Sequence, residues 1–288
     1  MRNATRSQSS MEGPLGAMSG AESAPPCAPT LYALIAEEIV PALVNRTGQS
    51  PRKRTHRHGT LTTADHAALA AALLEGAETK PEKIIASWDR SGVATSVIVL
   101  EGIAGAARTL GEQWCEDTLS FMDVTLAMGR LEALVNTIEP RNEEHPLRLG
   151  LNAARHRGER VPSILIAAAP GEQHTFPGRL LAWLFDAEGW DTAFIAETVT
   201  PKSLRKHITT NRSDVVALSL SSDRFLPQLQ ETVAELKASS ATKSCAIMVG
   251  GKTFLDDPRA AIRVGADGWA INARSAVDTA LRLRRDRS

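Results

Sequence analysis

Three short stretches of this 288-residue chain carry residues suited to chemistry. They are Ala169-Pro170-Gly171-Glu172-Gln173-His174-Thr175-Phe176-Pro177-Gly178, Leu218-Ser219-Leu220-Ser221-Ser222 and Val249-Gly250-Gly251-Lys252-Thr253. Imidazole is the common side-chain ligand of transition metals, and its second ring nitrogen normally donates to a carboxylate or carbonyl. His174, with Glu172 two residues before it, has that composition. Ser219 offers a hydroxyl, and Gly250-Gly251 would let a bulky group approach the backbone. A lone loop histidine is more commonly a surface or structural residue, so the spacing alone leaves the chemistry open.

Other chemistries fit less well. Gly251-Lys252-Thr253 looks like the end of a phosphate-binding P-loop, but that motif needs a glycine where Ala246 stands, inside a strand. A GxGxxG dinucleotide loop is absent. A phospho-receiver needs acidic residues after the first strand and an aspartate ending the third. Here those positions read Ala167-Ala168-Ala169 and Ser219. Cys27, Cys115 and Cys245 have no paired spacing, against a CxxC site or a disulfide scaffold. With 33 basic and 33 acidic side chains, the formal net charge is zero, and no general polyelectrolyte attraction to nucleic acid follows. Basic residues gather at Arg52–His58 and in a tail of Arg282, Arg284, Arg285 and Arg287. A solvated linker and a solvated helix end account for these, and any DNA contact would come from them. No apolar stretch reaches membrane-span length and no signal peptide opens the chain, so a cytoplasmic protein is expected.

The elements that must position the three stretches follow from periodicity. Residues 1–60 read as a flexible leader with a short amphipathic segment at Leu31–Leu43, and Met1, Met11 or Met18 could be the start. Residues 61–145 read as a four-helix bundle. The first helix is capped by Thr63, the second runs from Pro81 to Gly92 and the third spans about Ala94–Glu116. The fourth opens on Ser120 and Asp123 as a capping-box variant and presents Met122, Leu126, Leu131, Leu134 and Val135. Residues 146–160 read as a linker. From 161 to 288 the pattern becomes strand–helix alternation, opening on the continuous apolar run Ser163–Ala169 of a doubly buried parallel strand. Five such units predict an α/β, flavodoxin-like doubly wound sheet, whose ligands sit at the carboxyl ends of the strands. The three stretches lie at those ends.

Together they resemble the cobalamin-binding domain family, which carries Asp-x-His-x-x-Gly after the first strand, Ser-x-Leu after the third and Gly-Gly after the fourth. Glu172 stands for the aspartate, His174 for the histidine, Ser219 for the serine, and Gly250-Gly251 match directly. Pro177 stands where the glycine belongs, and Ser221 replaces the leucine. The resemblance implies that His174 is the lower cobalt ligand, oriented by Glu172, while Ser219, Ser221, Gly250 and Gly251 line the slot for the nucleotide tail. Leu110-Gly111-Glu112-Gln113-Trp114 resembles the helical cap over the cofactor's upper face. In light-sensing cobalamin repressors a Glu-His pair follows that tryptophan after nine residues. Here nine residues lead to Val124-Thr125. Trp114, Val124 and Thr125 are thereby implied to cover the upper face.

That replacement, with no helix-turn-helix region ahead of the cap, resembles the AerR/PpaA antirepressors of purple photosynthetic bacteria. The implied function is a regulator rather than an enzyme: it would bind adenosyl- or hydroxocobalamin, respond to light, and act on a photosystem-gene repressor of the CrtJ/PpsR type. A corrinoid methyl-carrier subunit of a methyltransferase, a heme sensor using His174 on iron, and a scaffold with an empty slot are the competing readings.

Overall fold

The computed structural model describes residues 61–74, 76–138, 153, 156–158 and 160–287. The leader, the Leu31–Leu43 segment, the Arg52–His58 cluster and most of the 146–160 linker lie outside the described residues.

The four expected helical segments of the cap are present. Helix α1 (Thr63–Ala72) is capped by Thr62 rather than Thr63, because Thr62 and Asp65 close a reciprocal capping box. Helix α2 (Pro81–Arg90) begins on its proline and ends through Gly92, whose φ of 81° continues the chain beyond the reach of a side-chain-bearing residue. The third segment is one run of three pieces, α3 (Thr95–Val97), a π-helical turn (Ile98–Ile103) and α4 (Ala104–Cys115). The π turn was not visible in the apolar spacing. Helix α5 (Phe121–Thr137) opens on the expected Ser120–Asp123 capping box.

Its apolar face is only half used. Leu131, Leu134 and Val135 are buried, but Met122 and Leu126 are exposed, as is Phe121. The reason is geometric: the first buried residue of α5 is Ala127, so its first turns extend beyond the elements packed against it.

Glycine sets how closely α1 and α2 approach the third segment. A Cβ on Gly102 would lie 2.6 Å from the Trp88 ring, and one on Gly105 would lie 2.5 Å from the His66 ring. Alanine's advantage over glycine within a helix is about 1 kcal/mol, whereas overpacking costs about 1–3 kcal/mol. Gly105→Ala should therefore destabilise the cap in urea unfolding by about 1–2 kcal/mol. A stabilised variant would mean that the His66 ring moves aside freely.

The second unit is a five-stranded parallel sheet in the order β2-β1-β3-β4-β5. Its strands are β1 (Ser163–Ala168), β2 (Asp191–Ile195), β3 (Val215–Ser219), β4 (Ala246–Gly250) and β5 (Gly268–Ala270). The connecting helices are α6 (Phe176–Ala187), α7 (Pro201–Asn211) and α8 (Leu226–Ala238), then the short α9 (Lys252–Asp256) and α10 (Arg259–Arg263). Helix α11 (Ala273–Arg285) closes the fold. The doubly wound expectation holds. Helix α9 is an addition, since Lys252-Thr253 were expected in a loop.

Side chains alternate across the sheet. Ile164, Ile166, Val215, Ala217 and Met248 join α6, α11 and the cap in one core. Leu165, Ala167, Val216, Leu218 and Val249 join α7, α8 and the short helices in another. The cap and the sheet are also linked by polar contacts, Arg179 Nε to Asn136 Oδ1 at 3.0 Å and Trp183 Nε1 to the Ile138 carbonyl at 2.7 Å. Among the described residues no helix is long and apolar enough to cross a membrane.

Candidate functional site

Strand register aligns the expected site residues. Ala168 pairs with Ser219, Ser219 with Gly250, and Gly250 with Ala270, so the three loops leave the sheet side by side.

The first loop owes its shape to Ala169-Pro170-Gly171-Glu172. Proline followed by glycine suits the centre of a type II turn. Gly171 has φ 87°, and the Glu172 amide donates to the Ala169 carbonyl at 2.9 Å. The turn drives Glu172 inward until only 2% of it is exposed. Both carboxylate oxygens are then used. Oε1 accepts from the Gln173 amide at 2.9 Å, the His174 amide at 3.1 Å and His174 Nδ1 at 2.5 Å. Oε2 accepts from the Ser221 amide at 2.9 Å. Glutamate thus spans the first and third loops at once, orienting the imidazole with one oxygen and holding the third loop with the other.

Burial alone would raise the Glu172 pKa, but hydrogen bonds from the His174 ring and from the Ser221 and His174 amides outweigh it and hold the carboxyl at about 2. With Nδ1 engaged by this carboxylate, Nε2 is the ring nitrogen left for a metal, and the His174 side chain is 54% exposed. One imidazole backed by one carboxylate suits a metal whose other positions are filled by a macrocycle.

The depressed pKa has a consequence for stability. Glu172's contribution is complete above its ordinary value of 4.5 and is lost as pH falls towards about 2. A shift of that size corresponds to at most about 3 kcal/mol, less what solvent screening of the half-exposed imidazole removes. Glu172→Gln offers one carbonyl oxygen to two sets of donors. It should cost about 1–3 kcal/mol at pH 7 and lose the acid dependence. Superimposable unfolding profiles of the two proteins between pH 5 and pH 2 would contradict this role for the carboxylate.

Beside the loops lies a small, predominantly apolar cleft. Small residues, among them Ala104, Gly178, Ser219, Gly250, Ala270 and Ala273, share its walls with aliphatic ones such as Leu100, Leu181 and Met248. Gly251 makes the turn that brings β4 to this edge. Its φ is 99°, and a Cβ there would lie 2.5 Å from the Leu220 carbonyl oxygen. Pro177 sits in the first turn of α6 beside Gly178, so the displaced glycine still faces the cleft. An apolar cleft at the same sheet edge as the His174 loop suits a corrinoid whose nucleotide tail enters the protein. The slot would hold the tail and His174 the metal.

The structure thus brings Glu172, His174 and Ser221 into one hydrogen-bonded group and places Ser219, Gly250 and Gly251 on the slot. Ser221 acts through its main-chain amide, which no side-chain motif announces. Trp114 and Val124 are half-buried in the cap and do not line the slot. Thr125 is exposed, and its hydroxyl donates back to the Phe121 carbonyl at 2.7 Å. The cap residues that do line the slot are Leu100 and Ala104, which the sequence presented only as helix core.

Residues 162–279 match the family model for the B12 binding domain. A corrinoid protein of Desulfitobacterium hafniense is 19% identical over 223 residues, covering 75% of this chain and 95% of that protein. A 20.5 kDa protein of Rhodobacter capsulatus from the bchF-crtJ intergenic region, of uncharacterised function, is 26% identical over 166 residues, which is 57% of this chain and 80% of the relative. The Methanosarcina barkeri monomethylamine corrinoid protein superposes with a TM-score of 0.58 at 15% identity, over 76% of this chain and 96% of its own, a likeness of fold. The match to the B12 binding domain model thus falls on the unit that carries Glu172, His174, Ser219 and Gly250.

Proposed function

We propose that this chain is a cobalamin-binding transcriptional regulator, an antirepressor that acts on a repressor of the CrtJ/PpsR type. The observation that carries this reading is that Leu100 and Ala104 of the cap line the same slot as Ser219 and Gly250 of the sheet. Whatever fills the slot therefore touches both units. The relative from the bchF-crtJ intergenic region supports the same reading, because its gene lies beside crtJ.

When bound, an alkylcobalamin supplies a cobalt centre and a carbon–cobalt bond that light can break. The chain's own residues do the rest. His174 would offer Nε2 to the cobalt, Glu172 would hold Nδ1–H, and Trp114, Val124 and Thr125 of the cap would cover the cofactor if the cap closes over it. Packing of Leu100 and Ala104 would pass a change at the slot to the cap. A repressor that binds one cap arrangement better than the other would then respond, as differential affinity for two states requires.

The purified protein, loaded with adenosylcobalamin in the dark, should bind it and change its absorption spectrum on illumination. Its capture of the repressor should differ between dark and light. Absence of cobalamin binding in both states refutes the reading, and a Soret band in the protein as purified would favour heme. A second reading, a methyl-carrier subunit, is favoured by the 95% coverage of the Desulfitobacterium corrinoid protein. Methyl transfer from a methylated donor to the loaded protein would select it.

A further inference from the structure

The opposite edge of the sheet, one five-residue strand or about 17 Å from the cofactor edge, holds a second cleft. Arg160, Arg212, Ser213, Asp214, Arg284 and Arg287 are among the residues lining it. Of the basic tail expected to be a solvated helix end, Arg282 and Arg285 are exposed, while Arg284 and Arg287 turn onto the sheet edge.

Two carboxylates fix the arginines. Asp214 accepts from the Ser163 amide at 2.9 Å and pairs with Arg160 at 2.9 Å and Arg284 at 3.5 Å. Asp267 accepts from the Ile247 amide at 2.7 Å and pairs with Arg287 at 2.8 Å and Lys237 at 2.7 Å. Each aspartate thus serves the sheet backbone and two cations. Positive charge remains in excess, because Arg212 adds a guanidinium that makes no ion pair among the described residues.

Three further details concern the same cleft. Arg212 closes α7 in the left-handed conformation, with φ 50°, an uncommon choice for a residue with a side chain. Ser213 is 7% exposed, and its hydroxyl has no hydrogen-bond partner among the described residues. Cys245 also lines the cleft, but burial pushes its thiol up to about 12, so it contributes no negative charge.

We propose that this cleft binds a small phosphate-bearing anion through Arg160, Arg212, Arg287 and the Ser213 hydroxyl. Guanidinium forks suit phosphate oxygens, and a tetrahedral group can serve several donors converging from different directions, where a planar carboxylate offers two oxygens. The concave shape favours a small molecule over a nucleic-acid duplex, which would need an extended basic surface.

The test is calorimetric titration of the full chain with sodium pyrophosphate at low and at physiological ionic strength. Saturable binding is expected at low ionic strength, weakened at least about tenfold by Arg212→Ala and also weakened by Ser213→Ala. Lys202→Ala, at the far end of α7, should leave it unchanged. No saturable binding to the wild-type protein, or equal weakening by Lys202→Ala and Arg212→Ala, overturns the proposal. A short DNA duplex that binds more tightly than pyrophosphate and depends equally on Arg212 would assign the cleft to nucleic acid instead, and overturn it too.

Discussion

His174→Ala should weaken cobalamin binding at least about a hundredfold and remove the lower imidazole ligand's mark from the visible spectrum. Loss of a partner behind a metal ligand typically costs 10–100-fold, so loss of the ligand itself should reach at least the top of that range. The side chain is 54% exposed, so the substitution opens little of the interior and its main local loss is the hydrogen bond to Glu172. The loop also keeps its anchors: Glu172 still accepts from the Gln173, His174 and Ser221 amides. Loss of the imidazole's hydrogen bond to buried Glu172 should lower stability by about 1 kcal/mol without unfolding the loop, and free imidazole should restore part of the spectrum. Equilibrium dialysis with unaltered affinity, together with unaltered spectra, would remove His174 as the ligand.

The neighbouring glycines should give opposite results when each receives a side chain. At Gly251 even a methyl group meets backbone, 2.5 Å from the Leu220 oxygen and 2.9 Å from its nitrogen, and φ is 99°. Neither obstacle can rotate away. Gly251→Ala should therefore cost about 3 kcal/mol or more in urea unfolding. At Gly250 the nearest atom to a Cβ is the Ala270 oxygen at 3.5 Å, an ordinary contact. Gly250→Leu should consequently fold, place its side chain in the slot and abolish binding of the nucleotide tail. Cobincamide (a corrinoid without that tail) should bind this variant about as well as it binds the parent. A Gly250→Leu protein that binds full cobalamin normally would show that the tail goes elsewhere.

Much of this site was written locally. Ser163–Ala169 and the later runs of β3 and β4 announce buried parallel strands, because a strand covered on both faces needs no alternation. Their carboxyl-end loops then locate His174, Ser219 and Gly250 without further information. What stayed hidden depends on tertiary geometry. Ser221 contributes a backbone amide, which every residue but proline possesses, so its identity carried no signal. Leu100 and Ala104 look like any helix-core residues until the cap is set against the sheet. Met122 and Leu126 obeyed an apolar period, yet they stay largely exposed among the described residues. Asp-to-Glu replacement looked like a departure from the family pattern. In the structure the longer side chain reaches both the imidazole and the third loop.

The π turn at Ile98–Ile103 sets the angular phase of the cap. Successive residues of an α-helix are about 100° apart, so widening one turn by a residue rotates everything before it relative to everything after it by roughly that angle. Leu100, which reaches the slot, lies within the turn, while Leu110 and Trp114 lie beyond it. Deleting one residue from this turn would regularise the helix and swing one of these groups away from its partners. The cap can therefore tolerate substitution here far better than it can tolerate a change of length.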